Sequence, residues 1–124
     1  MTTQYAIGEF SIMTNVSIHT LRYYEKEKLI TPQRNNNGRR FYLQSDLAWI
    51  EFIKRLKDTG MTIKEIQKYA QLRAIGDTTL EARMEMLKNH RYFLQEEISK
   101  ATANLSKLVD KIVYYENTIK DYKK

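Results

Sequence analysis

Apolar residues recur at helical spacing through most of the chain and alternate with polar ones in one short stretch. The first helix is predicted from about Gly8 to Thr14, with Ile7, Phe10 and either Ile12 or Met13 facing inward. Asn15 tolerates the left-handed conformation that ends a helix sharply, and Ser17 is a good N-cap for the next. Helix, tight turn and helix within so short a span is helix-turn-helix spacing. At about 100° per residue, with Leu21 set at the core, Ile18, Tyr24 and Glu25 lie within about 60° of it. His19, Tyr23 and Lys26 point the opposite way, Thr20 and Arg22 lie on the flanks, and Tyr24 sits at the boundary of the two faces. Leu29 and Ile30 are expected to close this helix, because Pro32 prevents its continuation.

Gln33 to Leu43 reads as a β-hairpin, with Asn37-Gly38 as the turn pair and Asn35-Asn36-Asn37 as a polar, mobile tip. A two-stranded hairpin is not stable alone, so Phe41 or Tyr42 must anchor it to the helices. Ser45 is expected to cap a third helix ending near Gly60, whose Leu47, Trp49, Ile50, Phe52, Ile53 and Leu56 are too many for one narrow stripe. Thr62-x-x-Glu65 is a capping box for a fourth helix, with Ile63, Ile66, Tyr69 and Ala70 inward. Gly76-Asp77 marks a break, and Thr78-x-x-Glu81 offers another capping box. Beyond it Leu80, Met84, Leu87, Leu94, Ile98, Ala101, Leu105, Leu108, Ile112, Tyr115, Ile119 and Tyr122 fall on alternating steps of four and three, and Arg91 alone interrupts them. That is a heptad pattern for a helix about 60 Å long. No other segment of the chain matches its length, so a homodimeric coiled coil is expected, with Leu80 through Ile119 as its seam. The fold class is therefore mainly α: a head over 1–75 and a dimerisation helix over 76–124.

The charge distribution adds a partner. The chain has 124 residues and a formal net charge of +6. From Ser17 to Tyr42 there are six cations against two anions, so most of the excess lies in one helix and hairpin. Double-stranded DNA suits such a face. A membrane partner is not expected, since no apolar run is long enough to span a bilayer. The N-terminus from Met1 to Tyr5 lacks a signal-peptide pattern, so a cytoplasmic location is expected. With no cysteine, disulfides, thiolate metal sites and thiol redox switches are excluded, and His19 and His90 lack ligand spacing. No cofactor or metal is implied. No nucleophile elbow, phosphate loop or metal cluster stands out, and the chain reads as non-enzymatic.

A DNA reader needs phosphate contacts for register and base or shape contacts for sequence. Arg22, Tyr23 and Lys26, with Tyr24 at the boundary, suit the first, while His19 and Thr20, near the Ser17 cap, are placed for bases. Arg39 and Arg40, with Tyr42 beside them, suit phosphates or a minor groove. Lys54, Arg55, Lys57 and Lys64 flank the loop Asp58 to Thr62, where a helix N-terminus forms a phosphate cradle or an ordinary turn. Trp49, Phe52 and Tyr69 read as core before they read as a ligand pocket. Tyr92, Phe93, Tyr114 and Tyr115 suit packing between the coil and the partner's head, or an effector site there. Arg91 marks a splayed position or a buried pair that fixes register. A coiled-coil adaptor and a nucleoid-architectural DNA-bending protein are the rival readings. An adaptor has no need of the concentrated charge, and an architectural protein protects no defined site.

Tyr5-Ala6-Ile7-Gly8-Glu9, Thr20-Leu21-Arg22-Tyr23-Tyr24-Glu25, Leu29-Ile30-x-Pro32, Gly38-x-Arg40-x-Tyr42, Asp46-Leu47 and Gly60-Met61-Thr62-Ile63-x-Glu65-Ile66 together resemble the MerR family of bacterial transcription regulators over about residues 4–73. The resemblance implies a winged helix-turn-helix head, with the second helix in the major groove. The Arg40 hairpin becomes the first wing and the loop after the third helix the second. It implies an antiparallel coiled-coil dimer on a pseudo-palindromic promoter operator, bending and untwisting the DNA so that RNA polymerase can engage it. A cytoplasmic, nucleoid-associated location is expected; the family's activators work by this distortion, and whether this chain is an activator or a repressor stays open. Trp49 to Arg55 is similar to the aldehyde- and stress-responsive branch, yet without a cysteine thiol sensing is excluded. Ser11 and Asn15 depart from a common small apolar residue and a common turn glycine. No large effector domain is expected beyond the coil, which leaves a small interfacial site for any small-molecule effector.

Overall fold

The computed structural model describes residues 3–124, so the signal-peptide reading falls partly on Met1 and Thr2, outside them. The order is β1 (Tyr5–Ala6), α1 (Ile7–Thr14), α2 (Ile18–Lys26), β2 (Gln33–Arg34), β3 (Arg40–Tyr42), α3 (Gln44–Asp58), α4 (Ile63–Ile75), a 3-10 turn (Asp77–Thr79) and α5 (Leu80–Tyr122). The chain is mainly α, with a winged helix-turn-helix head and a long C-terminal helix. It divides into two compact units, Met1–Met86 and Leu87–Lys124. Among the described residues no helix is long and apolar enough to cross a membrane.

Local chemistry sets most boundaries. Asn15 is left-handed at the end of α1. The Ser17 hydroxyl accepts from Thr20 N–H at 3.0 Å, and Thr62 and Glu65 form the reciprocal box at α4. Three expectations are corrected. The second helix ends at Lys26, before Leu29 and Ile30, because Lys28 turns left-handed at φ 61° and carries both apolar residues back under the core. The third starts at Gln44, one residue before Ser45; Asp46 closes it by accepting from Leu43 N–H at 2.8 Å. Beyond Gly76 it is Thr79 rather than Thr78 that ties the turn, its buried hydroxyl bonding Leu72 and Gly76 carbonyls.

The core joins the helices to a sheet that has one more strand than the sequence reading supplied. β3 lies between β1 and β2, antiparallel to both, with Tyr5 opposite Tyr42 and Gln33 opposite Phe41. Of the two anchor candidates it is Tyr42 that is fully buried, its ring stacked on Phe10 of α1 at 4.3 Å between centroids. Leu21, Tyr24, Ile50, Ile53 and Ile66 complete the centre. Ile12 is 84% exposed and Met13 is exposed as well, so neither fills the inward place; Thr14 does, its hydroxyl donating to the Phe10 carbonyl. Trp49 stacks on Tyr69 and donates to the Leu29 carbonyl, which makes that aromatic cluster core.

The Tyr42 hydroxyl is buried and has no hydrogen-bond partner among the described residues. Burial pushes its phenol above the ordinary 10.0, and the Glu25 carboxylate adds to that, against Arg40 and Arg22. The folded state thus holds the proton more tightly than the unfolded chain. This contribution is complete below about pH 10 and is lost as pH rises through the folded pKa. In denaturant melts, Tyr42→Phe should match or exceed the wild type at neutral pH and lose stability less steeply above pH 10. Tyr42→Ala should cost about 3–5 kcal/mol. A Phe variant with the same alkaline slope as the wild type overturns this role for the phenol.

Candidate nucleic-acid interface

The outer face of α2 is built by its inner one. Leu21 and Tyr24 are buried, which turns His19, Arg22, Tyr23 and Lys26 outward. Tyr23 is 40% exposed. Thr20 is half-buried, and its hydroxyl accepts from the Ser17 hydroxyl at 2.9 Å, so both stand at the cap of the helix. Helix α2 therefore presents a hydroxyl pair at its start, then two cations and a phenol on its open side. That set can meet phosphates and base edges.

The hairpin is held against this helix by charge. The Glu25 carboxylate accepts from Arg40 Nε and also pairs with Arg34 Nη2 at 3.5 Å. Arg34 Nη1 donates to the Gly38 carbonyl at 2.8 Å, across the tip. At the tip, Asn35 Oδ1 accepts from the N–H groups of Asn37 and Arg39. Its turn spans Asn35 to Gly38, with Gly38 left-handed at φ 75°, where a side chain would be strained. Arg39 is left exposed on the hairpin.

Two of the contact residues expected from sequence are corrected. Tyr24 and Tyr42 are both buried, because the 100° and alternating patterns give a direction but not the depth of the neighbouring element. Arg40 is half-buried and engaged by Glu25, which makes it first a strut between hairpin and helix. Lys57 is exposed and lies over the Tyr24 ring at 5.2 Å, which brings it beside α2. Lys64 is exposed near the start of α4. The cradle there is already occupied in part: Thr62 Oγ1 accepts from Glu65 N–H, and the Glu65 carboxylate accepts from Thr62 N–H. Lys54 is turned inward, donating to the Thr14 carbonyl at 2.8 Å and closing the end of α1. Glu25 and Arg34 were missed as organising residues. The available signal was a carboxylate on the inner side of a helix followed by a basic hairpin.

The expected seam lies on α5. Leu80, Met84, Ile98, Leu105, Leu108, Ile112, Tyr115 and Ile119 are exposed, and Leu87 and Leu94 are half-buried. Tyr92, Phe93 and Tyr114 are exposed as well, and Lys111 lies over the Tyr114 and Tyr115 rings.

The family model "MerR HTH family regulatory protein" matches residues 5–72, and the model "MerR, DNA binding" matches 47–111. An uncharacterised HTH-type transcriptional regulator of Haemophilus influenzae is 31% identical over 113 residues, 90% of this chain and 84% of that protein. The HTH-type transcriptional regulator AdhR of Bacillus subtilis is 38% identical over 91 residues, 73% of this chain and 65% of its own. Among solved structures, HiNmlR, a MerR family regulator lacking the sensor domain, was crystallised bound to promoter DNA. It is similar at a TM-score of 0.80 and 30% identity, over 93% of this chain and 92% of that one. A MerR family transcriptional regulator from Bacillus thuringiensis has a TM-score of 0.75 and 32% identity, over 90% of this chain and 98% of its own.

Replacing Glu25 with Gln should release the hairpin while leaving the core intact. Amide exchange should quicken at Asn35 to Arg39, and global stability should fall by about 1 kcal/mol or less, since the arginines are partly exposed. Unaltered exchange in the hairpin contradicts the strut.

Proposed function

The chain belongs to the MerR family of DNA-binding transcription regulators, and on that premise we propose that it acts as a homodimer on a pseudo-palindromic promoter operator. The observation that carries this reading is the open face of α2 beside the Glu25-pinned hairpin. The promoter-DNA complex of HiNmlR supports it. In this reading α2 enters the major groove, with Ser17, His19 and Thr20 nearest the bases and Arg22, Tyr23 and Lys26 on the backbone. The β2–β3 hairpin, with Arg39 at its edge, is the first wing. The loop between α3 and α4, with Lys57 and Lys64, is the second. Residues 1–75 read DNA and 76–124 pair two copies through the α5 seam.

Two heads fixed to one coil can bend and untwist the operator between them and so present the promoter to RNA polymerase. Regulation then works by DNA shape, with no catalytic step in the chain. The protein works in the cytoplasm on nucleoid DNA. Any small-molecule effector sits at the dimer interface and is sensed without a thiol, since the chain has no cysteine.

Fluorescence anisotropy on DNA from upstream of its own gene should show sequence preference and steep loss of affinity with salt. Arg22→Ala should weaken binding at least ten-fold and lower the salt slope by about one, leaving the dimer intact. Equal, weak binding to every DNA favours an architectural role, and no binding favours an adaptor; either result overturns the proposal.

A further inference from the structure

A cavity of about 310 Å³ opens on the head, lined by side chains from α3, α4 and the first turns of α5, and DNA recognition makes no use of it. Its floor is aromatic. Trp49 and Tyr69 are buried and stacked at 5.9 Å between centroids. The half-buried Phe52 completes the cluster, 6.1 Å from the first ring and 5.5 Å from the second. Ala48, one helical turn before Phe52, is small and exposed, which leaves room beside the rings.

The rim is cationic. The Arg73 guanidinium lies over the Trp49 ring at 4.4 Å from its centroid. Arg83 is held by the turn that precedes α5: its Nε donates to the Thr79 hydroxyl and its Nη2 to the Gly76 carbonyl, each at 3.1 Å. Those bonds leave further N–H donors of the same guanidinium unused. Among the described residues neither arginine meets a carboxylate. Ser45 adds a hydroxyl at the same rim. It stands in the first turn of α3, where Leu43 holds the cap position and Asp46 closes the box, so its side chain is not spent on the helix end.

Two guanidiniums without counter-charge beside an apolar floor ask for two things in one ligand: an anionic end and a flat apolar body. A bare phosphate or sulfate leaves the rings uncovered, and a neutral ring leaves the arginines unpaired. We propose that this cavity binds a small aromatic carboxylate, its ring against Phe52 and the edge of Trp49. Its carboxylate is shared by Arg73 and Arg83, and Ser45 donates to it. Every residue used lies within Met1–Met86, so the site needs nothing from a second copy and goes beyond the DNA-binding reading.

Trp49 is the single tryptophan of the chain, so its fluorescence reports this cavity directly. Titrating the full chain with benzoate at constant ionic strength should give a saturable change with a Kd on the order of 1 mM. Acetate, which lacks the ring, and benzamide, which lacks the charge, should each bind at least about five-fold more weakly. Arg73→Gln removes an exposed charge and should weaken benzoate by about five-fold or more, while Ala48→Leu should fill the space and abolish the change. Both positions are exposed on helices, so both variants should keep the wild-type helical circular dichroism. The proposal is overturned by the absence of a saturable benzoate signal, by benzamide binding as well as benzoate, or by folded variants that bind as the wild type does. A Trp49 signal that follows protein concentration and ignores benzoate also overturns it, because a second copy then covers the cavity.

Discussion

The stack of Tyr42 on Phe10 is the constraint on which the head depends. A hairpin of two short strands cannot persist in water, and β3 persists because its last residue is driven into the helical core. Burying Tyr42 fixes the height of the hairpin against α1, and β1 adds a third strand on the other edge. With that height set, Arg40 and Arg34 fall within reach of Glu25 on α2. A hydrophobic contact thus places an electrostatic one, and together they hold wing and helix in a common frame. The orphaned phenol is the cost of using a tyrosine there.

The same logic separates the cations of the head. Lys54 and Arg40 serve the fold, one closing α1 and the other joining hairpin to helix. Arg22, Lys26 and Arg39 are exposed. Counting charge along the sequence therefore finds the basic region but overstates the number of groups available to a phosphate backbone. What matters for binding is the subset that the core holds outward.

Features that depend on near neighbours in sequence were legible. Asn15, Ser17 and the Thr62–Glu65 box each act within one turn, and Leu21 follows from helical angle alone. Features set by distant packing were not. Tyr24 and Tyr42 share their periodic positions with surface residues, and only the neighbouring helix decides that they are buried. Strand β1 is two residues long, too short for any alternation, and exists because β3 offers an edge. The left-handed Lys28 has no turn-forming signature, and the chain bends there because Leu29 and Ile30 gain burial by doing so. The heptads of α5 were legible because a repeat is read from spacing along the sequence alone.

In the proposed reading a single head offers one short helix and two small wings, and their grip gains most when a second copy is held at fixed spacing. In the proposed function, recognition belongs to the pair of heads. It is tested most directly by footprinting the promoter before and after inserting about half a helical turn, roughly 5 base pairs, between the protected half-sites. The account predicts two protected segments related by two-fold symmetry, and loss of protection at both after the insertion. Protection of each half-site that survives the insertion would mean that the heads read DNA independently.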